Sequence, residues 1–449
     1  MVSVAGIRGV VGDTLTPEVV VDYASAFAAE RAGQTVVLGG DTRLSRPWIQ
    51  RLVEGVLIDA GCRVVSLGIC PTPTVGFTVR RLGAAGGIAI TASHNPMEWN
   101  ALKFFSDQGV FLNPTLFAKL KRRLDKRAFV HQPFDRIGRV DEDAKAVDHH
   151  LHAVIRATRP ALIRARRFRV VVDCTNGAGS VIARPLLAKL GCRVTWLHAA
   201  LDKPFPRPQA EPLPHNLREL GRTVRAKGAD VGFAIDPDAD RLAVVDERGR
   251  PLGEDRTLTL AAEAWLARHP SPVVVNLSTT SAVDDIAARF GCAVHRTKVG
   301  EAHVVKRMLA IGSLFGGEGG GGVIVPAVHP GRDAATAMAL VLETMARDKD
   351  RRPLSAINSD TPLYHIAKDH VVLPMARVAS ILKRLEKLWP KPVRVNRLDG
   401  LKFLTGDGWA HVRASGTEPI VRIYCEARTK ARAEELRELA KGLLKKAAR

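Results

Sequence analysis

The sequence predicts an α/β protein: three related α/β domains with mixed, mainly parallel sheets, followed by a C-terminal α+β domain. Three observations predict it. The chain has 449 residues, 46% of them hydrophobic and 25% charged, which is too long for one ordinary core and has globular composition. One pattern recurs three times, as "TVVLGGDTR…LIDAGCRVVSLG" (35–68), "RVVVDCTNGAG…LLAKLGCRVTWLH" (169–198) and "PVVVNLSTTSA…IAARFGCAVHRTK" (272–298). The last eighty or so residues follow a different pattern, with strand-like runs around Gly-Asp-Gly.

Each repeat opens with a β-branched apolar run, turns through polar or glycine-rich residues, continues with helical periodicity and returns through Gly-Cys into a second β-rich run. That is a strand–helix–strand unit, with Gly61, Gly191 and Gly291 at the position just past the helix end. Short apolar strands joined by helices predict parallel pairing. In the C-terminal part, "LKFLTGDGWAHVRAS" predicts a hairpin and "PIVRIYCEA" continues the strands. Leu436, Leu439, Leu443 and Leu444 then fall on one helical face. We place the domains at 1–150, 151–255, 256–366 and 367–449.

The N-terminal "MVSVAGIRGVVGD" lacks the charged-then-apolar pattern of a signal peptide, and no apolar run is long enough to span a bilayer. The six cysteines (62, 70, 174, 192, 292, 425) make no CxxC pair or zinc-spaced cluster, which suits reduced, buried thiols and a cytoplasmic protein. The formal net charge is +21, but the basic residues are dispersed and only 5% of residues are aromatic. That argues against a nucleic-acid partner and for a solvated basic surface, or a cleft attracting an anionic metabolite.

Four motifs carry chemistry. "TASHNP" (91–96) follows the apolar run "GGIAI", so Ser93 lies on a turn after a buried strand, as a nucleophile or as a structural serine. "DPDADR" (236–241) follows the apolar Val231–Ile235 run and spaces Asp236, Asp238 and Asp240 two residues apart, with Arg241 beside them. An acidic surface loop has that composition; so does an oxygen-ligand site for a hard divalent cation, at the strand end where α/β sites gather. A phosphorylated Ser93 would supply an anionic oxygen to the same ion. "GGEGGGG" (316–322) between "GSLF" and "VIVP" is a flexible linker or a ligand loop in which Glu318 could accept two hydroxyl hydrogen bonds. "RASGTEP" (413–419) offers Arg413, Ser415, Gly416 and Thr417 as a nest for a phosphate, or is an ordinary connection.

Taken together, in this order, the motifs make the chain similar to the α-D-phosphohexomutase superfamily over essentially its whole length, and its glycine-rich loop with the following "VIVP" resembles that of the archaeal-type phosphoglucosamine mutase branch. The resemblance implies four domains around a central cleft, an intramolecular phosphotransferase (an isomerase) and Mg²⁺ as cofactor. It also implies a hexose 1,6-bisphosphate as intermediate and activator, a small phosphosugar as substrate, and a monomer or homodimer.

It further implies Ser93 as the phosphoserine and, with Asp236, Asp238 and Asp240, as a metal ligand. Arg8 in "GIRGVVGD" and His94 would be catalytic, as would Lys103 in "NALKFF", which the residues alone read as solvated on a strand. Arg241, Lys298 and Gly300 (in "RTKVGE"), Glu318, Arg413, Ser415, Gly416 and Thr417 would bind substrate. The sequence departs from the family's Gly-Glu-x-Ser-Gly-His loop, with Gly320 and Gly322 at the serine and histidine positions, and has Pro237 where many members have glycine. We expect metal binding to survive Pro237, and a phosphoglucosamine mutase activity. The alternatives are phosphoglucomutase/phosphomannomutase, a phosphoserine-dependent phosphatase or bisphosphate synthase, or a basic nucleic-acid-binding protein with a retired mutase site.

Overall fold

The computed structural model describes residues 2, 3, 6–253, 255–415 and 420–449. Its first sheet comprises β1 (Val2–Ser3), β2 (Gly6–Val10), β3 (Thr35–Gly40), β4 (Arg63–Ile69), β5 (Gly86–Ile90), β6 (Trp99–Phe105) and β7 (Arg139–Glu142). Helices α1 (Pro17–Ala28), α2 (Arg46–Asp59), α3 (Thr72–Leu82) and α4 (Pro114–Asp125) lie between them in sequence. The strand order is β1-β2-β6-β5-β3-β4-β7. From β5 to β7 neighbours run parallel; β6 runs antiparallel to both β5 and β2.

Next come α5 (Ala146–Ala157), α6 (Pro160–Arg164), β8 (Arg169–Asp173), α7 (Gly179–Lys189), β9 (Arg193–Leu197), α8 (Arg218–Lys227), β10 (Val231–Ile235) and β11 (Leu242–Asp246). The second sheet has the order β11-β10-β8-β9, parallel except for β11.

The third repeat runs through α9 (Arg256–Leu266), β12 (Val273–Asn276), α10 (Ala282–Arg289), β13 (Val294–Thr297), α11 (Glu301–Ile311) and β14 (Phe315–Glu318), with β12 parallel to β13 and β14. Strands β15 (Gly322–Val325) and β16 (His329–Arg332) form an antiparallel hairpin, followed by α12 (Ala334–Arg347) and α13 (Leu354–Ser359). The last sheet takes β17 (His365–Val372), then α14 (Val378–Leu388), β18 (Arg394–Asn396), β19 (Leu401–Thr405), β20 (Gly408–Ala414), β21 (Ile420–Ala427) and α15 (Lys430–Ala448). Its order is β17-β21-β20-β19-β18, antiparallel throughout.

These elements form two compact units, Met1–Arg268 with Gly320–Ile357, and His269–Gly319 with Asn358–Arg449. In the first, α12 is buried from Ala334 to Ala346 and packs on α9. Its run is mostly alanine, leucine, valine and methionine, as a helix enclosed by others requires, and its buried Glu343 is ion-paired with Arg268. In the second, α14 and α15 cover the antiparallel sheet, burying Leu436 and Leu444 against Phe403, Ile423 and Val412.

The three repeats close alike. Gly61, Gly191 and Gly291 adopt φ of +80°, +70° and +66°. The amides of Cys62, Cys192 and Cys292 then bond back to the carbonyls of Leu57, Leu187 and Ala287 at 2.9, 3.0 and 2.8 Å. The Gly-Cys signature is therefore a Schellman closure, with glycine taking the left-handed residue and the next amide satisfying an orphan carbonyl. All six cysteines are free thiols; Cys62, Cys70, Cys174 and Cys425 are buried, while Cys192 and Cys292 are partly buried. Among the described residues no helix is long and apolar enough to cross a membrane.

Candidate active site

The serine loop leaves β5 at Ile90. Thr91 Oγ1 donates to Asp41 Oδ2 (2.5 Å) and accepts from the Ser93 amide (2.9 Å). Ser93 has φ of +53°, a left-handed conformation that costs a non-glycine residue ~1–2 kcal/mol. Arg43 holds the loop in that shape. Its guanidinium donates to the carbonyls of Ser93 (2.7 Å), Asn95 (2.7 Å), Pro96 (2.5 Å) and Trp99 (2.8 Å), and its Nε pairs with Asp41 at 3.2 Å. Arg8, on β2, donates to Asn95 Oδ1 (2.8 Å), tying the loop to the neighbouring strands.

The aspartate loop leaves β10 at Ile235. Asp236, Asp238 and Asp240 are buried, and each offers an oxygen within 4.8 Å of the others. Asp236 Oδ2 accepts from Ser93 Oγ at 3.0 Å, and its Oδ1 accepts the amides of Asp240 and Arg241. Asp238 Oδ2 receives Lys103 Nζ (2.6 Å) and Thr72 Oγ1 (2.8 Å). Asp240 Oδ2 receives Arg332 Nη2 (2.7 Å), while Arg241 spans Glu211 (2.7 Å) and Asp240 (3.7 Å). Asp238 Oδ1 and Asp240 Oδ1 are buried without a hydrogen-bond partner.

Burial and the charges of Asp240 and Asp238 push the Asp236 carboxyl well above the usual carboxylate range. Burial also acts to raise Asp238, but the Lys103 ammonium and its hydrogen bond overturn that and hold it well below the range. Three crowded carboxylates with two unpartnered oxygens fit a divalent, oxygen-preferring cation. Pro237 adds no side-chain ligand to the cluster. Its carbonyl accepts the Ala178 amide at 2.8 Å, and its ring carries no donor atom. His94 Nδ1 lies 3.4 Å from Ser93 Oγ, and burial together with the cationic Arg241 and Arg8 drives its pKa well below 6.5, so the ring is neutral.

In the second unit, Glu318 ends β14, and its Oε1 accepts from Asn276 Nδ2 (2.9 Å) and the Gly300 amide (2.8 Å). Gly300 has φ of +123° at the head of α11, open to glycine alone without strain. Asp399 Oδ2 accepts the Val299 amide (2.9 Å) and Arg413 Nε (3.0 Å), so one carboxylate links the loop after β13 to the arginine of β20. Ser415 is buried, its amide bonded to the Ile420 carbonyl at 2.9 Å. Lys298 is exposed. Gly416 and Thr417 lie outside the described residues.

Four family models, described as phosphoglucomutase/phosphomannomutase α/β/α domains I, II and III and C-terminal domain, match residues 2–131, 148–249, 253–364 and 372–441. The chain belongs to this family. It is a phosphohexomutase, an isomerase that acts as an intramolecular phosphotransferase. A "Phosphoglucomutase/phosphomannomutase" of Thermococcus kodakarensis is 36% identical over 98% of each chain. A "Probable phosphoglucosamine mutase" of Methanopyrus kandleri is 35% identical over 97% of this chain and 95% of its own. The crystal structure of a phosphoglucomutase/phosphomannomutase family protein from Burkholderia thailandensis superposes with a TM-score of 0.86 at 27% identity, over 100% of this chain and 98% of that one.

Within the first unit of this phosphohexomutase, the fold brings Ser93, His94, Arg8, Lys103, the three aspartates and Arg241 together. Lys103 corrects the reading from residues alone: it is 7% exposed and ion-paired with Asp238, not solvated. The glycine run also differs from a loop throughout. Gly316 and Gly317 belong to β14, because a side chain at Gly316 would strike the Val274 carbonyl and Met308. Gly322 leaves room that Arg332 fills, a Cβ there falling 2.3 Å from Arg332 Cδ. Sequence reasoning missed Arg43, Thr72, Arg332 and Asp399. The one available signal was Asp41-Thr-Arg43, an acid and a base directly after a buried strand.

Proposed function

We propose that this phosphohexomutase interconverts glucosamine 6-phosphate and glucosamine 1-phosphate, with Ser93 as phosphoryl carrier. The observation that carries the reading is the 3.0 Å hydrogen bond from Ser93 Oγ to Asp236 inside the three-aspartate cluster, with Lys103 paired to its neighbour Asp238. In the forward half, the sugar hydroxyl oxygen forms a bond to phosphorus as the Ser93 Oγ–P bond breaks. The proton lost by the sugar ends on Ser93 Oγ, and the neutral His94 ring, 3.4 Å away, is placed to take part in that transfer. The resulting hexose 1,6-bisphosphate then returns its other phosphoryl group to Ser93.

Asp236, Asp238 and Asp240 would hold Mg²⁺, which when bound polarises phosphoryl oxygens and offsets the charge they develop. Arg8, Lys103, Arg241 and Arg332 add cationic charge to the same cluster. Glu318 would accept sugar hydroxyls, with Lys298 and Gly300 reading orientation, and Arg413, Ser415, Gly416 and Thr417 would hold the phosphate that is not reacting. These roles fall in four proposed domains, 1–150, 151–255, 256–366 and 367–449.

The choice of glucosamine rests on the glycine-rich sugar loop and on archaeal relatives of that name. The Thermococcus relative named for glucose and mannose phosphates supports a second reading. Side-by-side turnover of glucosamine, glucose and mannose phosphates, primed with a trace of bisphosphate, decides between them: preference for glucosamine phosphate is expected, and equal rates defeat it. Ser93→Ala abolishes turnover of all three, and a Ser93→Ala protein that still converts any of them overturns the carrier role.

A further inference from the structure

Three successive carbonyls of the metal loop are each taken by the start of a different helix. Pro237 O accepts the amide of Ala178, which caps α7, at 2.8 Å. Asp238 O accepts that of Thr72, first in α3, at 2.9 Å, and Ala239 O that of Ala334, first in α12, at 3.2 Å. The side chains repeat the arrangement. Thr72 Oγ1 bonds to Asp238, and Arg332, just before α12, pairs with Asp240. The loop's shape, and so the spacing of its carboxylates, is set by where those helices begin.

One side chain ties two of the three together. His150, on α5, is fully buried. Its Nδ1 meets Thr74 Oγ1 of α3 at 2.9 Å, and its Nε2 meets Asp333 Oδ2 at 3.1 Å. Asp333 is the N-cap of α12: its Oδ1 accepts the Ala335 amide at 3.0 Å, and Thr336 also donates to it. Facing a carboxylate, Nε2 carries a proton, so the imidazole links the two helices by directed bonds. Phe77 stacks on the ring at 5.1 Å between centroids, fixing its plane. Helix α5 itself packs against α3, α7 and α12, the three helices that hold the loop. A buried polar group is costly unless fully partnered, and a spacer between helices alone would be served by an apolar side chain.

We propose that His150 is a positioning residue for the metal loop: through Thr74 and Asp333 it sets the relative placement of the α3 and α12 N-termini, and thereby the geometry of Asp238, Asp240 and Arg332. The proposal rests on the reading that this loop binds a divalent cation. Loss of an outer partner of a metal site typically lowers metal affinity 10–100-fold, and the effect here is expected at the low end, about tenfold, because His150 acts through two further residues.

The test measures Mn²⁺ affinity of the full chain by electron paramagnetic resonance at 25 °C, with melting temperature and kcat and KM alongside. His150→Ala is expected to raise the Mn²⁺ Kd about tenfold and to lower kcat at saturating metal more than it changes the sugar KM. His150→Gln, whose amide can donate to Asp333 and accept from Thr74, recovers most of both. A folded His150→Ala protein with wild-type Kd and kcat overturns the proposal, whatever its melting temperature, because a merely structural histidine would move the melting temperature alone. Should His150→Ala fail to fold, Thr74→Val and Asp333→Asn carry the test. Their combined loss of Mn²⁺ affinity should fall short of the product of the single losses, and independent losses refute the link. A wild-type protein that binds no Mn²⁺ removes the metal reading itself, and is distinguished from failure of the brace by that control.

Discussion

Arg43 shows how much one side chain can organise. It is fully buried, pairs with Asp41 and donates to four carbonyls of the serine loop. A planar fork with five donors meets those acceptors at once, which an ammonium cannot do. Arg43→Leu would leave Asp41 buried without its cation and take one donor from each of four carbonyls, of which Pro96 O would keep the Trp99 amide. Breaking a buried pair from one side typically costs ~3–5 kcal/mol. We expect a loss of that size in chemical denaturation, with phosphoryl transfer to Ser93 from labelled bisphosphate falling further than unfolding explains. Arg43→Lys should keep much of the stability and little of the transfer. If Arg43→Leu is as stable and as readily phosphorylated as the wild type, the strained φ of Ser93 is held by other means.

Glycines separate two effects at the level of the elements. Gly291 closes the third repeat at φ of +66°, with nothing within 4 Å of where a Cβ would stand, so Gly291→Ala meets only backbone strain and should cost ~1 kcal/mol. At Gly177 a Cβ would fall 2.5 Å from Pro237 Cα and O, against the backbone of the metal loop. Gly177→Ala should therefore lower Mn²⁺ affinity and turnover severely, while Gly291→Ala leaves both near wild type. Equal effects on metal affinity would mean that the loop yields more readily than its three amide contacts suggest. The same contrast explains what was legible. The repeats could be read because strand, helix and Gly-Cys closure are local signals with fixed periods. Ser93 and the aspartates stood out because each motif directly follows an apolar strand-like run, although a structural turn and an acidic surface loop fit the same residues. Thr72, His150 and Arg332 could not, and Lys103 entered only through the resemblance, because each acquires its partner from an element far off in the chain. The strand character of Gly316 and Gly317 was hidden for a related reason: at Gly316 the lack of a side chain answers Met308 and Val274, not a turn.

At the scale of the molecule, acid stability depends on which charges are buried. His329, in the first unit, is held down to about 3 by burial above all, with the Arg80 charge acting in the same direction. His411, in the second, is held down to about 4 by burial above all, although the Asp399 carbonyl at 2.6 Å acts the other way. Both folded values lie below the 6.5 of an unfolded histidine. Between those limits the unfolded chain binds protons that the folded chain refuses, so stability is full above about pH 6.5 and falls as pH drops toward about 4. A net charge of +21 adds a second acid penalty, since protonating surface carboxylates increases self-repulsion. Salt tells the two apart. Repulsion between exposed charges is screened over ~8–10 Å near physiological ionic strength, whereas desolvation of a buried imidazolium is not. Denaturation midpoints at pH 7 and pH 5, in low and high salt, should therefore show a loss in acid that persists in high salt. His329→Gln with His411→Gln should reduce that residual loss, because glutamine takes up no proton in this range. If salt alone restores the pH 5 midpoint with both histidines present, surface repulsion governs acid stability and the buried rings contribute little.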